Sequence, residues 1–200
     1  MPTASRCKMK TKSNLLFGIM LLAVLVLPHY ALAADNSTLI MYYSMSGKTR
    51  IVAEELKALM PSADLIEIKS DVGIPTAIFW HLIFDQNATI EPLQVDPERY
   101  SKIILCSPVW MQRISSPAKT VINTVQMQGK QMEVFVTCAG HFGEGGQNSV
   151  KELLSSKGIK LTGLHIIKTG DQPETGIRNQ VREEAKNLCP ALKKQPVPVK

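Results

Sequence analysis

Several things are scarce in this 200-residue chain, and each scarcity closes off a class of function. Beyond residue 33 no run of Lys and Arg is dense enough for a nucleic-acid surface, and aromatics make up only 6% of the chain. Cys and His never fall at metal-ligand spacing, no internal repeat is present, and no side chain stands out as an acid, a base or a nucleophile. Neither a catalytic residue nor a metal ligand is therefore assigned. The longest apolar run, Leu15–Leu27, has thirteen residues, which is short for a membrane span. Gly47-Lys48-Thr49 has the ending of a triphosphate-binding loop, but the glycine that such a loop needs five positions earlier is replaced by Tyr42.

What is present begins with an export signal. Arg6, Lys8, Lys10 and Lys12 precede the apolar run, Pro28 breaks it, and Ala31 and Ala33 put small residues where an export peptidase reads them. Residues 1–33 read as a signal peptide cut after Ala33, leaving a periplasmic or secreted protein with no membrane contact except through that signal. A retained N-terminal membrane anchor is the alternative. Four of the 23 basic residues and none of the 17 acidic ones lie in this leader, so the formal charge of the rest falls from +6 to 19 against 17, or +2. Cys106, Cys138 and Cys189 remain in an oxidising compartment. Cys106 and Cys138 each close an apolar run and read as buried small hydrophobes, with a bridge between neighbouring strands as the second reading.

The mature chain alternates strand and helix patterns. Strands are predicted at 39–43, 64–68, 102–106, 132–138 and 160–167, the last with Gly163 as a candidate bulge. Helical spacing follows the first strand (Val52, Leu56, Leu59, Met60), Pro117 (Val121, Ile122, Val125), Ser149 (Val150, Leu153, Leu154) and Pro173 (Ile177, Val181, Ala185, Leu188). A further short helix is predicted from Pro75 to Phe84. Residues 190–200 read as a disordered tail, which leaves 34–189 as one domain.

Three connections carry unusual chemistry. Tyr42-Tyr-Ser-Met-Ser-Gly-Lys-Thr49 runs from a buried strand through a tight turn into a helix, collecting amides, a helix dipole and the hydroxyls of Ser44, Ser46 and Thr49 at one point. That is a place for a phosphate. Ser107-Pro108-Val109-Trp110-Met111 reads as a rigid turn that carries a large ring. Ala139-Gly140-His141-Phe142-Gly143 opens a stretch with four glycines in eight positions, suited to close backbone approach.

Together these motifs, in this order after three successive strands, resemble the flavodoxin-like family over about residues 38–188. The first resembles the family's Ser/Thr-x-Ser/Thr-Gly-x-Thr phosphate loop, and the second its Pro-x-Trp segment. The resemblance implies an α/β fold in three layers, with an open parallel sheet of five strands in the order 2-1-3-4-5. It also implies FMN as cofactor. Ser44, Met45, Ser46, Gly47, Lys48 and Thr49 would surround the phosphate, while Pro108, Val109, Trp110 and Met111 would flank one face of the ring. Ala139, Gly140, His141, Phe142 and Gly143 would line the other side. The function implied is electron transfer, as a shuttle or as a small FMN-dependent reductase using a partner protein or NAD(P)H. An exported binding module of the same fold without redox activity is the alternative.

Overall fold

The computed structural model describes residues 38–72, 87–186 and 188. The leader, the helix expected over 75–84 and the expected tail lie outside the described residues.

Five buried or half-buried runs form one parallel sheet. These are β1 (Thr38–Tyr42), β2 (Asp64–Glu67), β3 (Lys102–Trp110), β5 (Gln131–Cys138) and β6 (Lys160–Lys168), with spatial order β2-β1-β3-β5-β6. A two-residue strand, β4 (Arg113–Ile114), pairs antiparallel with the end of β3. Counting only the parallel strands, the order is the predicted 2-1-3-4-5. Strands at the centre must be apolar on both faces, and β1, β3 and β5 are: Leu39, Ile40, Met41, Ile103, Ile104, Leu105, Val134, Phe135 and Val136 have no exposed surface.

Helices cover both faces. Helices α1 (Lys48–Leu59) and α4 (Glu174–Ala185) lie on one, where Val52, Ala53, Leu56, Ile177, Val181 and Ala185 pack against Ile40, Ile104 and Phe135. Helices α2 (Ser116–Thr124) and α3 (Glu144–Ser156) lie on the other, where Ala118, Val121, Ile122, Val150 and Leu154 meet Leu39, Met41, Ile103 and Val134. Every parallel connection then delivers its loop to the same end of the sheet, where β1, β3 and β5 stop side by side.

Three details differ from the sequence reading. The third strand does not end at Cys106 but continues through Pro108 to Trp110, pairing Pro108 with Thr137. What was expected as a rigid turn at 107–111 is a strand end, and the chain reverses only at Met111 and Gln112, both with positive φ (46° and 63°), into β4. Helix α3 begins at Glu144, not Ser149, so two of the four glycines are helical. The bulge expected near Gly163 is present: Met132 faces Leu161 while Glu133 faces Gly163, leaving Thr162 as the extra residue. Cys106 and Cys138 are buried and free, as small hydrophobes would be.

Candidate functional site at the carboxyl end of the sheet

The first loop is shaped by one backbone torsion. Gly47 takes φ 82°, ψ −18° at the N-cap of α1, a left-handed conformation cheap only for glycine, and a Cβ there would meet nothing within 4 Å. The turn therefore has open space in front of it. Its hydroxyls are not equivalent. Thr49 is buried and its Oγ1 lies 2.7 Å from Thr137 Oγ1, fixing the start of α1 to the end of β5. Ser46 is exposed. Ser44 Oγ is buried and has no hydrogen-bond partner, a costly arrangement unless something else satisfies it. Met45 is half exposed.

Lys48 places its charge unexpectedly. Its Nζ donates to the main-chain oxygens of Thr169, Gly170 and Gln172 at 3.2, 3.4 and 3.1 Å, in the loop after β6.

The second wall is the β3–β4 hairpin. Trp110 is half-buried and meets Tyr43 edge to face, with centroids 5.7 Å apart and planes at 87°. Tyr43 is itself held by its N–H to Cys106 O at 3.1 Å and by its hydroxyl to Val72 O. Pro108 and Val109 are strand residues, and Pro108 O accepts from Ser115 N–H at 3.1 Å. Ser107 Oγ and Ser115 Oγ, 2.9 Å apart, brace the base of the hairpin. Met111, at its tip, is 69% exposed.

The third connection is Ala139–Gly143, with Ala139, Gly140 and His141 exposed. Phe142 is 2% exposed and belongs to the core, so it lends this loop its backbone and not its ring. Its ring is why Gly146 is required: a Cβ on Gly146 would lie 2.4 Å from Phe142 Cε2 and 2.4 Å from Gln112 O. The hairpin and this loop are joined by Gln112, whose Nε2 donates to His141 O and whose Oε1 accepts from Gly143 N–H, both at 2.6 Å. Gln112 and Thr137 were not singled out from the sequence. A polar residue at a hairpin tip and a threonine inside an apolar strand carry no local signal of a tie to a distant loop.

The three connections named from the sequence thus converge: Tyr43 meets Trp110, Thr49 meets Thr137, and Gln112 meets Gly143. Among the described residues no group of three or more His, Cys, Asp or Glu side chains is placed to hold a metal ion, and no helix is long and apolar enough to cross a membrane.

A doubly wound parallel sheet in this order, with a hydroxyl- and glycine-bearing loop after its first strand, is the flavodoxin-like fold. Solved structures of flavoproteins and of a flavodoxin are similar to it. A flavoprotein from Lactobacillus acidophilus NCFM, solved in complex with FMN, matches with 22% identity and a TM-score of 0.56 over 66% of this chain and 93% of its own. The apo-form of the flavoprotein from the same organism matches with 26% identity and a TM-score of 0.56 over 66% and 91%. A flavodoxin, WrbA-like protein from Agrobacterium tumefaciens matches with 17% identity and a TM-score of 0.50 over 81% and 100%. No protein-family model and no curated protein matches the chain.

Proposed function

We propose that the chain binds FMN non-covalently and works in electron transfer, either as a carrier or as a small reductase. The observation that carries this reading is the buried, unpartnered Ser44 hydroxyl at the mouth of a helix N-terminus, beside a left-handed glycine with open space before it. A phosphate monoester supplies the acceptor that Ser44 lacks, and the first amides of α1 are donors without intrahelical partners. Trp110, set against Tyr43 next to this turn in sequence, offers an aromatic surface, and Ala139–His141 form an exposed connection at the same end of the sheet. The FMN-bound flavoprotein from Lactobacillus acidophilus supports the same assignment.

When bound, FMN supplies one- and two-electron redox chemistry. The protein's part is to hold and tune. Ser44, Ser46 and the α1 amides bind the phosphate, Trp110 covers ring surface, and the Gln112-braced loop keeps its backbone in one shape. Residues 1–33 act as an export signal in this reading, so the flavin is acquired after the chain leaves the cytoplasm.

Titrating purified mature protein into FMN tests the proposal. Quenching of flavin fluorescence with a 1:1 endpoint is expected, and no binding at micromolar flavin overturns it. Reduction of the bound flavin by NADH or NADPH alone would mark a reductase. Failure of both, with photochemical reduction intact, would mark a carrier that needs a protein donor.

A further inference from the structure

Lys48 sits in the first turn of α1, where no acidic residue offsets it and the helix dipole opposes a positive charge. A lysine beside a phosphate loop invites the reading of a phosphate ligand. Its ammonium group has three N–H donors, and three main-chain oxygens of one loop receive them: Thr169, Gly170 and Gln172. That loop follows the edge strand β6. It is pressed onto the third connection as well, since Thr169 N–H donates to Cys138 O at 2.8 Å and a Cβ on Gly170 would lie 2.6 Å from Ala139 O. The 169–172 segment therefore bridges two of the three site loops. One end is held by Lys48, and the other by the backbone at the end of β5.

From this geometry we propose that Lys48 is a positioning residue: it fastens the loop after β6 as a fourth wall of the cofactor site, and it does not bind the phosphate. This deepens the FMN reading and rests on it. With its donors committed to carbonyls, the lysine acts on the ligand through the loop it holds, on the ring side as much as on the phosphate side. Anion binding is left to the amides and to the hydroxyls of Ser44 and Ser46.

The two roles separate with riboflavin, which has the ring and lacks the phosphate. In Lys48→Met, a direct phosphate ligand would weaken FMN binding and leave riboflavin unchanged. A loop anchor weakens both, and a fall of about 5- to 20-fold for each is expected. Lys48→Arg, which retains several donors, should recover most of the loss. Hydrogen exchange on the flavin-free proteins gives a second readout: amides of residues 169–172 should exchange at least ten times faster in Lys48→Met than in wild type, with the core of β1 and β3 unaltered. Unchanged riboflavin affinity, or unchanged exchange in that loop, overturns the proposal. Should the wild type bind neither flavin, the FMN reading fails by itself, while the exchange comparison still shows whether Lys48 holds the loop.

Discussion

A hydroxyl that is buried without a partner gives an unusual mutational signature. Removing the Ser44 Oγ breaks no hydrogen bond in the free protein, so Ser44→Ala should leave the apo melting temperature unchanged or slightly higher. The same substitution should weaken FMN binding by about 1–2 kcal/mol, because a charge-assisted bond to the phosphate is lost. Calorimetric titration beside a thermal melt of the apo protein checks both halves. Trp110 behaves differently, because its ring also rests on Tyr43. Trp110→Ala should lower FMN affinity by ~1–3 kcal/mol and also reduce apo stability, on the scale of aromatic area removed from contact. An unchanged dissociation constant would show that the ring does not face the flavin.

At the scale of elements, the pairing of β5 and β6 carries a charge cluster separate from the three connections of the candidate site. Glu133 is buried on β5, and His165 on β6 stacks on Phe135 with centroids 4.3 Å apart. Both His165 nitrogens face carboxylates, Nε2 at 3.0 Å from Glu133 and Nδ1 at 2.9 Å from Glu184 on α4. Lys102 Nζ lies 3.6 Å from Glu133, and Thr162, the bulge residue, donates to it at 2.9 Å. Gly163 makes the room: a Cβ there would sit 2.0 Å from Glu133 Oε2.

Burial pulls the His165 pKa down, but the bonds to Glu133 and Glu184 outweigh it and the net shift is upward from 6.5. Burial pushes Glu133 up, while the bonds from His165 and Thr162 and the Lys102 charge bring it below 4.5 overall. The histidine's contribution is therefore complete below its unfolded pKa and disappears as pH rises through the higher folded value. The glutamate's is complete above its unfolded pKa and disappears as pH falls through the lower folded value. Stability from this pair should be greatest in mildly acidic solution and decline on the alkaline side. Urea midpoints from pH 6 to 9 should fall for wild type and stay flatter for His165→Gln; parallel profiles would exclude the pair as the source.

Legibility followed the range of the interactions concerned. The strand, turn and helix around Gly47 were readable because every cause is local: an apolar run, a glycine, then helical spacing. The continuation of β3 through Pro108 was not, since proline normally ends a ladder, and here β5 and the returning Ser115 pair with it from outside. Gly146 read as loop because its reason lies in Phe142 and the Gln112 carbonyl, which touch it only once the fold has formed. The fate of Lys48 was hidden likewise, 121 to 124 positions from its acceptors.

At the scale of the whole molecule, the first 33 residues are proposed to set where the rest operates. In the proposed reading, the full-length chain produced in a bacterial host is exported, and N-terminal sequencing of the envelope fraction should begin at Ala34. Recovery of an intact Met1 terminus in membranes would favour the anchor instead. With the leader gone the formal charge is +2, close enough to neutral that long-range steering of a strongly charged partner is weak. Recognition of a redox partner would then rest on the surface around the flavin, where Met45 and Met111 are the large apolar side chains exposed among the described residues.

The short bond between Thr49 and Thr137 has a consequence for the rhythm of binding. It pins the start of a helix to the end of a buried strand, so the amides at the proposed anion site are aimed before any ligand arrives. A cradle already set at rest does not have to be gathered at the moment of capture. If, as proposed, the flavin is met only after export, that readiness would let a folded apo chain be loaded late.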